Sequence, residues 1–213
     1  MRSVFAVAAL LFSIFGGGAS FAGVTSGSVW LNDFSNNASV IPGGPPDSTF
    51  ASGAINYNSA LTGYTVGQFL NNPGGVGFSN PAVAAADLND THFQFVGTVG
   101  LLSGNNSFVV AHDDGLILNI AGFGLVVNAP NPTAPVFTPF NVFNPGPAGN
   151  FAFQLDYNET FGPPATLVWS INNVLVTGGG VPEPAIWAMM LVGFGAIGFA
   201  ARHRPNTSAA AIA

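Results

Sequence analysis

The chain contains no cysteine and only three basic residues. Those three are Arg2, Arg202 and Arg204, so residues 3–201 contain neither lysine nor arginine. The absence of cysteine excludes a disulfide framework and thiol chemistry. The absence of cationic side chains excludes a nucleic-acid partner, because binding to phosphates depends on them. Eight of the nine acidic residues lie between the two ends of the chain, which makes divalent cations their natural counterions.

The N-terminus has the pattern of a secretory signal. Arg2 supplies a positive charge, residues 4–15 are almost wholly apolar, and Ser20 and Ala22 are small residues at the −3 and −1 positions of a cleavage site. This order predicts a signal peptide over residues 1–22 that is cleaved between Ala22 and Gly23. The mature chain is therefore expected outside the cytoplasm.

The C-terminus predicts a membrane anchor. A Gly-rich tether over residues 177–181 precedes Pro182-Glu183-Pro184, where two prolines prevent regular structure from continuing. Residues 185–201 are uncharged and apolar, and as a helix they would be about 25 Å long, enough for a short transmembrane span. Arg202 and Arg204 would keep the following residues 205–213 on the cytoplasmic side.

Residues 182–204 carry a family resemblance. Pro182-Glu183-Pro184, Trp187 with Ala188, the apolar span and the final Arg202 and Arg204 resemble the PEPxxWA variety of the PEP-CTERM sorting segment. Some collections label this segment an ice-binding-protein C-terminal domain, a label that does not imply ice binding. The resemblance implies that exosortase processes the segment and that the body reaches the surface or exopolysaccharide matrix of a Gram-negative bacterium. An ordinary C-terminal membrane anchor is the alternative interpretation.

The body, residues 23–176, is predicted to be all-β. Apolar and polar residues alternate with a period of two over residues 93–99, 151–157 and 166–171, which is typical of half-buried strands. Shorter strands are expected over residues 28–31, 50–57, 108–111, 116–120 and 125–128, and they are separated by turn-rich segments. The pattern predicts an antiparallel β-sandwich or jelly roll, preceded by the signal helix and followed by a single transmembrane helix.

Two segments of the body break this alternation. Thr65 and Gln68 have the spacing of a capping box and predict a short helix over residues 65–70. The proline-rich residues 130–147 are predicted to form an irregular surface loop.

The sequence Asp113-Asp114-Gly115 lies between two apolar stretches and is a candidate metal site. Adjacent carboxylates repel each other unless a cation or hydrogen-bond donors lie between them, and a hard cation such as Ca²⁺ prefers oxygen ligands. Vicinal hydroxyls of a saccharide could complete its coordination. The alternative is a simple hairpin turn in which Asp113 is solvated.

A second resemblance rests on this turn. Residues 108–120, together with Tyr157-Asn158-Glu159 and the strand ending at Trp169, resemble the PA14 and fibro-slime group of β-sandwich domains. In sugar-binding members of that group the two aspartates bind Ca²⁺ and contact glycan hydroxyls. The resemblance therefore implies a calcium and glycan role for Asp113 and Asp114 alone.

An enzymatic function is the contrasting hypothesis. Asp156 and Glu159 could serve as the carboxylate pair of a glycosidase, although solvated loop carboxylates are the plainer interpretation. His92 and His112 could act as bases, but none of the common hydrolase or phosphate-binding motifs accompanies them. We therefore expect a non-enzymatic protein with a structural or adhesive role.

Aromatic side chains provide a further way to hold a sugar without metal. Five aromatic residues could stack on a sugar ring: Trp30, Tyr57, Tyr64, Tyr157 and Trp169. Trp169 is expected in the core, and whether Tyr157 is buried or exposed is undecided.

Overall fold

The computed structural model describes residues 22–23, 25–58, 65–72 and 74–178. They form thirteen strands and two short helical segments, all within the unit Met1–Gly179. The predicted signal peptide, transmembrane helix and cytoplasmic tail lie outside the described residues, apart from Ala22. Within the described residues, no helix has the length and hydrophobicity needed to cross a membrane.

The strands form two antiparallel sheets and one short parallel pair. The elements are β1 Ala22–Gly23, β2 Thr25–Trp30, β3 Ser48–Ser52, β4 Asn56–Asn58, α1 Val66–Phe69, a 3₁₀ helix Pro81–Ala85, β5 Thr91–Leu101, β6 Gly104–Asp113, β7 Gly115–Ile120, β8 Gly124–Ala129, β9 Val136–Asn144, β10 Gly149–Glu159, β11 Thr166–Ile171, β12 Val174–Leu175 and β13 Thr177–Gly178. The six-stranded sheet has the order β3-β2-β5-β10-β7-β8. The second sheet has the order β12-β11-β6-β9, with β4 also paired to β11.

The two sheets form a β-sandwich, as the alternation predicts. Phe93 and Leu155 from the six-stranded sheet and Phe108 and Trp169 from the second sheet are all fully buried. The rings of Phe153 and Trp169 meet across the sandwich in a T-shaped contact with centroids 4.9 Å apart. Trp169 is therefore a core residue, as predicted.

The predicted helix forms as α1. The Thr65 hydroxyl accepts a hydrogen bond from the backbone N–H of Gln68 at 3.2 Å, and the Gln68 side chain accepts from the backbone N–H of Thr65. This reciprocal capping box satisfies amide groups that the first helical turn leaves free. Phe69 then packs in the core, stacked on Tyr157.

Two secondary-structure predictions are wrong. The proline-rich segment is not a loop throughout, because residues 136–144 form β9 at the edge of the second sheet. Pro139 lies opposite Val109 of β6, and an edge strand tolerates a proline because one of its sides has no partner strand. The strand expected over residues 50–57 is interrupted, so that β3 and β4 belong to different sheets.

The predicted tether, residues 177–181, begins with the two residues of β13. Thr177 and Gly178 pair in parallel with Ala22 and Gly23, next to the predicted signal cleavage position. Residues 179–181 lie outside the described residues.

Candidate functional site

The Asp113-Asp114 turn is buried. β6 ends at Asp113 and β7 begins at Gly115, and the peptide bond between the two aspartates is cis. Asp113 and Asp114 are only 6% and 4% exposed. The turn is therefore not a simple solvated hairpin, and the interpretation of Asp113 as a solvated residue is wrong. Gly115 is required here, because a Cβ would overlap the main chain of Pro130.

Asp114 joins three segments of the chain. Its Oδ1 accepts a hydrogen bond from the backbone N–H of Thr133 at 3.0 Å, and its Oδ2 accepts one from the backbone N–H of Thr160 at 2.9 Å. The residue thereby anchors both the β8–β9 and the β10–β11 connections. Each oxygen of this buried carboxylate therefore has a hydrogen-bond donor.

His112 holds the other side of the turn. Its Nδ1 lies 2.6 Å from the Asp114 carbonyl oxygen, and its Nε2 lies 3.0 Å from the Thr138 hydroxyl. Because the carbonyl can only accept, Nδ1 carries the hydrogen and Nε2 accepts from Thr138. Burial lowers the pKa of His112, and this effect outweighs the opposing influence of the Asp114 carbonyl and charge.

Negative charges on both Asp113 and Asp114 would repel each other in this buried turn. Burial, followed by the neighbouring charge of Asp114, raises the pKa of Asp113 to about 6. The sequence provides no lysine or arginine between residues 3 and 201 that could compensate. At neutral pH the turn is thus a site of buried negative charge suited to a cation.

A hydrogen-bonded chain runs below the turn. The Tyr157 hydroxyl contacts both the Asp113 carbonyl oxygen and, at 2.7 Å, Glu159 Oε2. A hydroxyl has a single hydrogen, so if Tyr157 donates to the carbonyl it must accept from Glu159. Burial raises the pKa of Glu159 to about 9 with help from the charges of Asp114 and Asp113, and it outweighs the opposing hydrogen bonds of Tyr157 and Gly162. At neutral pH Glu159 is therefore protonated and able to donate. The glutamic acid and tyrosine together support the main chain of Asp113.

The two aspartates lie at a cleft of about 420 Å³ formed by three connections. Its lining comprises Asp113, Asp114, Pro132, Thr133, Ala134, Pro135, Phe161, Gly162, Pro163 and Pro164. Phe161 also lines this cleft and is 74% exposed, so its ring is open to solvent. Phe161 is not apparent as a site residue from the sequence, where its position two residues after a buried strand and before Gly162-Pro163-Pro164 is the one available signal.

The donors at the turn fit a hard cation. They are carboxylate and carbonyl oxygens, the ligands that Ca²⁺ prefers, and the repulsion between Asp113 and Asp114 would be relieved by it. In the part of the chain that the structure describes, no three acidic, histidine or cysteine side chains form a metal-binding group. Calcium held by Asp113 and Asp114 would therefore need oxygens from the main chain, water or a ligand to complete its coordination.

The structure separates the proposed hydrolase residues. Asp156 and Glu159 both belong to β10 and are buried, so their interpretation as solvated loop carboxylates is wrong. Asp156 accepts hydrogen bonds from Gln94 and Gln154 on the outer face of the six-stranded sheet. Glu159 contacts Tyr157, which faces the core. The two carboxylates thus lie on opposite faces of the sheet and cannot flank one glycosidic bond.

The remaining predicted candidates that the structure describes are buried as well. His92 is fully buried between Asp33 and Asp156, which prevents it from acting as a base at the surface. Trp30 and Tyr57 are 8% and 5% exposed, so neither offers an open ring for stacking on a sugar. Tyr157 is fully buried and supports Asp113 as described above. Tyr64 lies outside the described residues.

Comparison with solved structures identifies the class of fold. The chain is similar to the PA14 sugar-binding domain from an RTX adhesin, with a TM-score of 0.54 and 17% identity over 74% of this chain and 95% of that one. It is also similar to the PA14 domain of the MpAFP antifreeze protein, with a TM-score of 0.54 and 20% identity over 76% of this chain and 94% of that one. These likenesses show that the body has a PA14-type β-sandwich fold.

A family comparison identifies the C-terminal segment. Residues 180–204 match the PEP-CTERM protein-sorting motif. The match contains the predicted sorting residues Pro182, Glu183, Pro184, Trp187, Arg202 and Arg204, which lie outside the described residues. The motif marks an exported protein of the cell envelope. No curated protein matches the chain.

Proposed function

We propose that the body binds a neutral glycan through calcium held by Asp113 and Asp114, and that this gives the exported protein an adhesive or structural role. The observation that supports the proposal is the buried pair of carboxylates beside an open cleft, without any lysine or arginine to balance them. Buried charges are normally paired or bound to metal. The sorting motif at residues 180–204 supports the second clause of the proposal, because it marks an exported protein.

Calcium would supply charge compensation and coordination sites for sugar hydroxyls. Asp114 is oriented by Thr133 and Thr160, and Asp113 by the contact of its carbonyl with Tyr157. Both carboxylates are thus presented by well-anchored main chain. A cation with only two protein carboxylates keeps positions for water or for vicinal hydroxyls.

Phe161 would provide the second half of the site. An exposed aromatic ring beside the carboxylates can pack on the apolar face of a pyranose while the hydroxyls meet the cation. Prolines form much of the remaining wall and present a stiff apolar surface at low entropic expense. The similarity to a domain described as sugar-binding is consistent with this arrangement.

The sorting segment determines where such binding would occur. We propose that exosortase recognises Pro182-Glu183-Pro184 and releases the body from its membrane intermediate to the surface or exopolysaccharide matrix of a Gram-negative bacterium. There the body would bind matrix polysaccharide.

The test is calcium-dependent stability of the full-length chain in mild detergent. After treatment with EDTA, calcium at a hundred times its dissociation constant should stabilise the fold by about 2.7 kcal/mol, a rise in Tm of roughly 5–10 °C. Asp113→Asn should abolish this rise. Asp87→Asn is the matched control, because it removes one charge from an exposed aspartate and should preserve the rise.

Glycan binding is then measured on an array of neutral oligosaccharides in calcium and in EDTA. Binding in calcium that is lost in EDTA and in Asp113→Asn is the expected result. An unchanged Tm with calcium would refute the metal site, and glycan binding that persists in EDTA would refute its role in recognition. Loss of the processed protein from the cell surface in Pro182→Ala would support the sorting step.

A further inference from the structure

The outer face of the second sheet begins beside the cleft, at the Asp113 end of β6. Along β6, Phe108 and Val110 are buried in the core, so Val109 and Ala111 occupy the opposite face, in phase with Asp113. In β9, Thr138 reaches His112 and Phe140 stacks on Phe108, so Phe137 and Pro139 face outward. The same outer face therefore carries Asp113 at one end and the side chains of β9 at its edge.

Of the exposed aromatic residues on this face, Phe137 lies nearer to Asp113 than Phe143 does. The Phe137 side chain is 75% exposed. Phe137 pairs with Ala111 of β6, and Ala111 is two residues before Asp113 in the chain. From strand geometry, the Cα atoms of Phe137 and Asp113 are roughly 8 Å apart, a diagonal of two residues along β6 and one step between neighbouring strands. Pro135, in the cleft wall, lies only two residues before Phe137. The separation is more than a single sugar ring spans but is within reach of a short oligosaccharide.

The face carries no charged side chain apart from Asp113 at its end. The outward residues of β6, β9 and β11 are Asn105, Ser107, Val109 and Ala111 of β6, Phe137, Pro139, Asn141 and Phe143 of β9, and Thr166, Val168 and Ser170 of β11. A polyanion would find no lysine or arginine in this part of the chain, and the body's acidic residues would repel it. A polycation would lack a carboxylate partner along the strands. A neutral chain with apolar faces and many hydroxyls suits this surface.

We propose that Phe137 forms a second sugar subsite, so that the protein binds an internal stretch of neutral polysaccharide rather than a single sugar. This inference rests on the proposed function, because the first sugar would be held at Asp113 and Asp114. Phe161 and Phe137 would then stack on different residues of one polymer chain. Their apolar contacts would add affinity without requiring a further polar contact.

The experiment measures how affinity depends on oligosaccharide length. Titration calorimetry in calcium uses a monosaccharide, disaccharide and β-1,4-linked tetrasaccharide from each of the glucose, mannose and galactose series. For the series that binds, the wild type should bind the tetrasaccharide at least tenfold more tightly than the monosaccharide. Phe137→Ala should remove most of that gain and leave monosaccharide affinity within about twofold of the wild type.

Phe143→Ala is the matched control. Phe143 is 62% exposed on the same strand and the same face, but it lies opposite Asn105, at the end of β6 distant from Asp113. Its removal should leave the length dependence unchanged. The rise of Tm with calcium confirms that each variant is folded and retains the first site.

The outcomes separate the two proposals. Monosaccharide binding without a gain for longer chains would overturn the second subsite and leave the proposed function standing. Equal losses for monosaccharide and tetrasaccharide in Phe137→Ala would also overturn it, since they indicate a single site. No binding by the wild type to any series would overturn both. Light scattering that shows a dimer abolished by Phe137→Ala, with sugar affinities unchanged, would identify the face as a self-association surface instead.

Discussion

The sandwich contains two buried acidic clusters that are stabilised in different ways. In the first, Asp33 and Asp156 lie on either side of His92, with Asp33 Oδ2 3.3 Å from Nδ1 and Asp156 Oδ1 3.6 Å from Nε2. Amide side chains complete this cluster: Gln94 and Gln154 donate to Asp156, and Asn158 donates to Asp33. In the second, Asp113 and Asp114 are adjacent, and a third acid, Glu159, lies below them.

The difference indicates which cluster is structural. The His92 cluster provides side-chain donors for its own carboxylates, and none of its residues lines the cleft at Asp113, although Asn158 is linked to Asp114 through Thr160. Carboxylates that receive donors from neighbouring side chains suit a stabilising role. The Asp113 cluster has main-chain donors for Asp114, but the pKa of Asp113 is raised by burial and by Asp114. A cluster that leaves negative charge uncompensated next to a cleft is suited to binding a cation.

Removing His92 should produce the largest effect. His92→Ala leaves Asp33 and Asp156 buried without the ring between them and opens a cavity, so the free energy of unfolding should fall by about 3–5 kcal/mol. Urea unfolding in EDTA measures the loss. The rise of Tm with calcium should survive in the variant, because the ion pairs of His92 are with Asp33 and Asp156 and not with the Asp113 turn. A loss of stability below about 1 kcal/mol would contradict a stabilising role for the cluster.

Glu159 should make the stability depend on pH. Its pKa is raised from 4.5 to about 9 in the fold, so between these values the native state holds a proton that the unfolded chain has released. Stability due to this group is fully present below pH 4.5 and falls as pH rises toward 9. The pKa of Asp113 is raised to about 6, so this residue adds a decline of stability in the same direction at lower pH.

Glu159→Gln isolates this contribution. Glutamine keeps the shape of the side chain and cannot ionise, so it should remove the part of the decline that Glu159 causes. Between pH 6 and pH 8 the wild type should lose about 2.7 kcal/mol more than the variant in metal-free buffer, since each of the two units of pH corresponds to about 1.4 kcal/mol. Parallel pH profiles of the two proteins would show that Glu159 does not titrate in this range.

The strands could be predicted from the sequence because each alternation is local. Phe93 with Phe95 on β5 and Leu155 with Tyr157 on β10 are in phase and face the core. The capping box of α1 was also local, involving only Thr65 and Gln68. In β9 the alternation was hidden, because the outward positions carry the apolar residues Phe137, Pro139 and Phe143.

The burial of the polar residues could not be predicted, because it depends on distant parts of the chain. Asp156 has the outward phase of its strand, which predicts exposure, but His92 and Gln94 from β5 surround it. Asp33, from the segment after β2, reaches Asn158 across 125 positions of sequence. The Asp-Asp-Gly turn itself was visible as a candidate, whereas its contacts with Thr133, Tyr157 and Thr160 depend on the fold.

A pair of asparagine substitutions provides the finest test of the contrast between the clusters. Asp156→Asn removes the charge that accepts from Gln94 and Gln154, so it should lower the free energy of unfolding by about 1–3 kcal/mol. Asp113→Asn removes one of two repelling charges, so in EDTA at pH 7.5 it should raise the free energy of unfolding by about 0.5 kcal/mol. The opposite signs follow from the surroundings, because the substitution is the same in both cases. Urea unfolding of both variants in EDTA measures the two signs. A comparable loss of stability in Asp113→Asn would show that the charge of Asp113 is already compensated within the protein. That result would remove the physical basis for a cation at the turn.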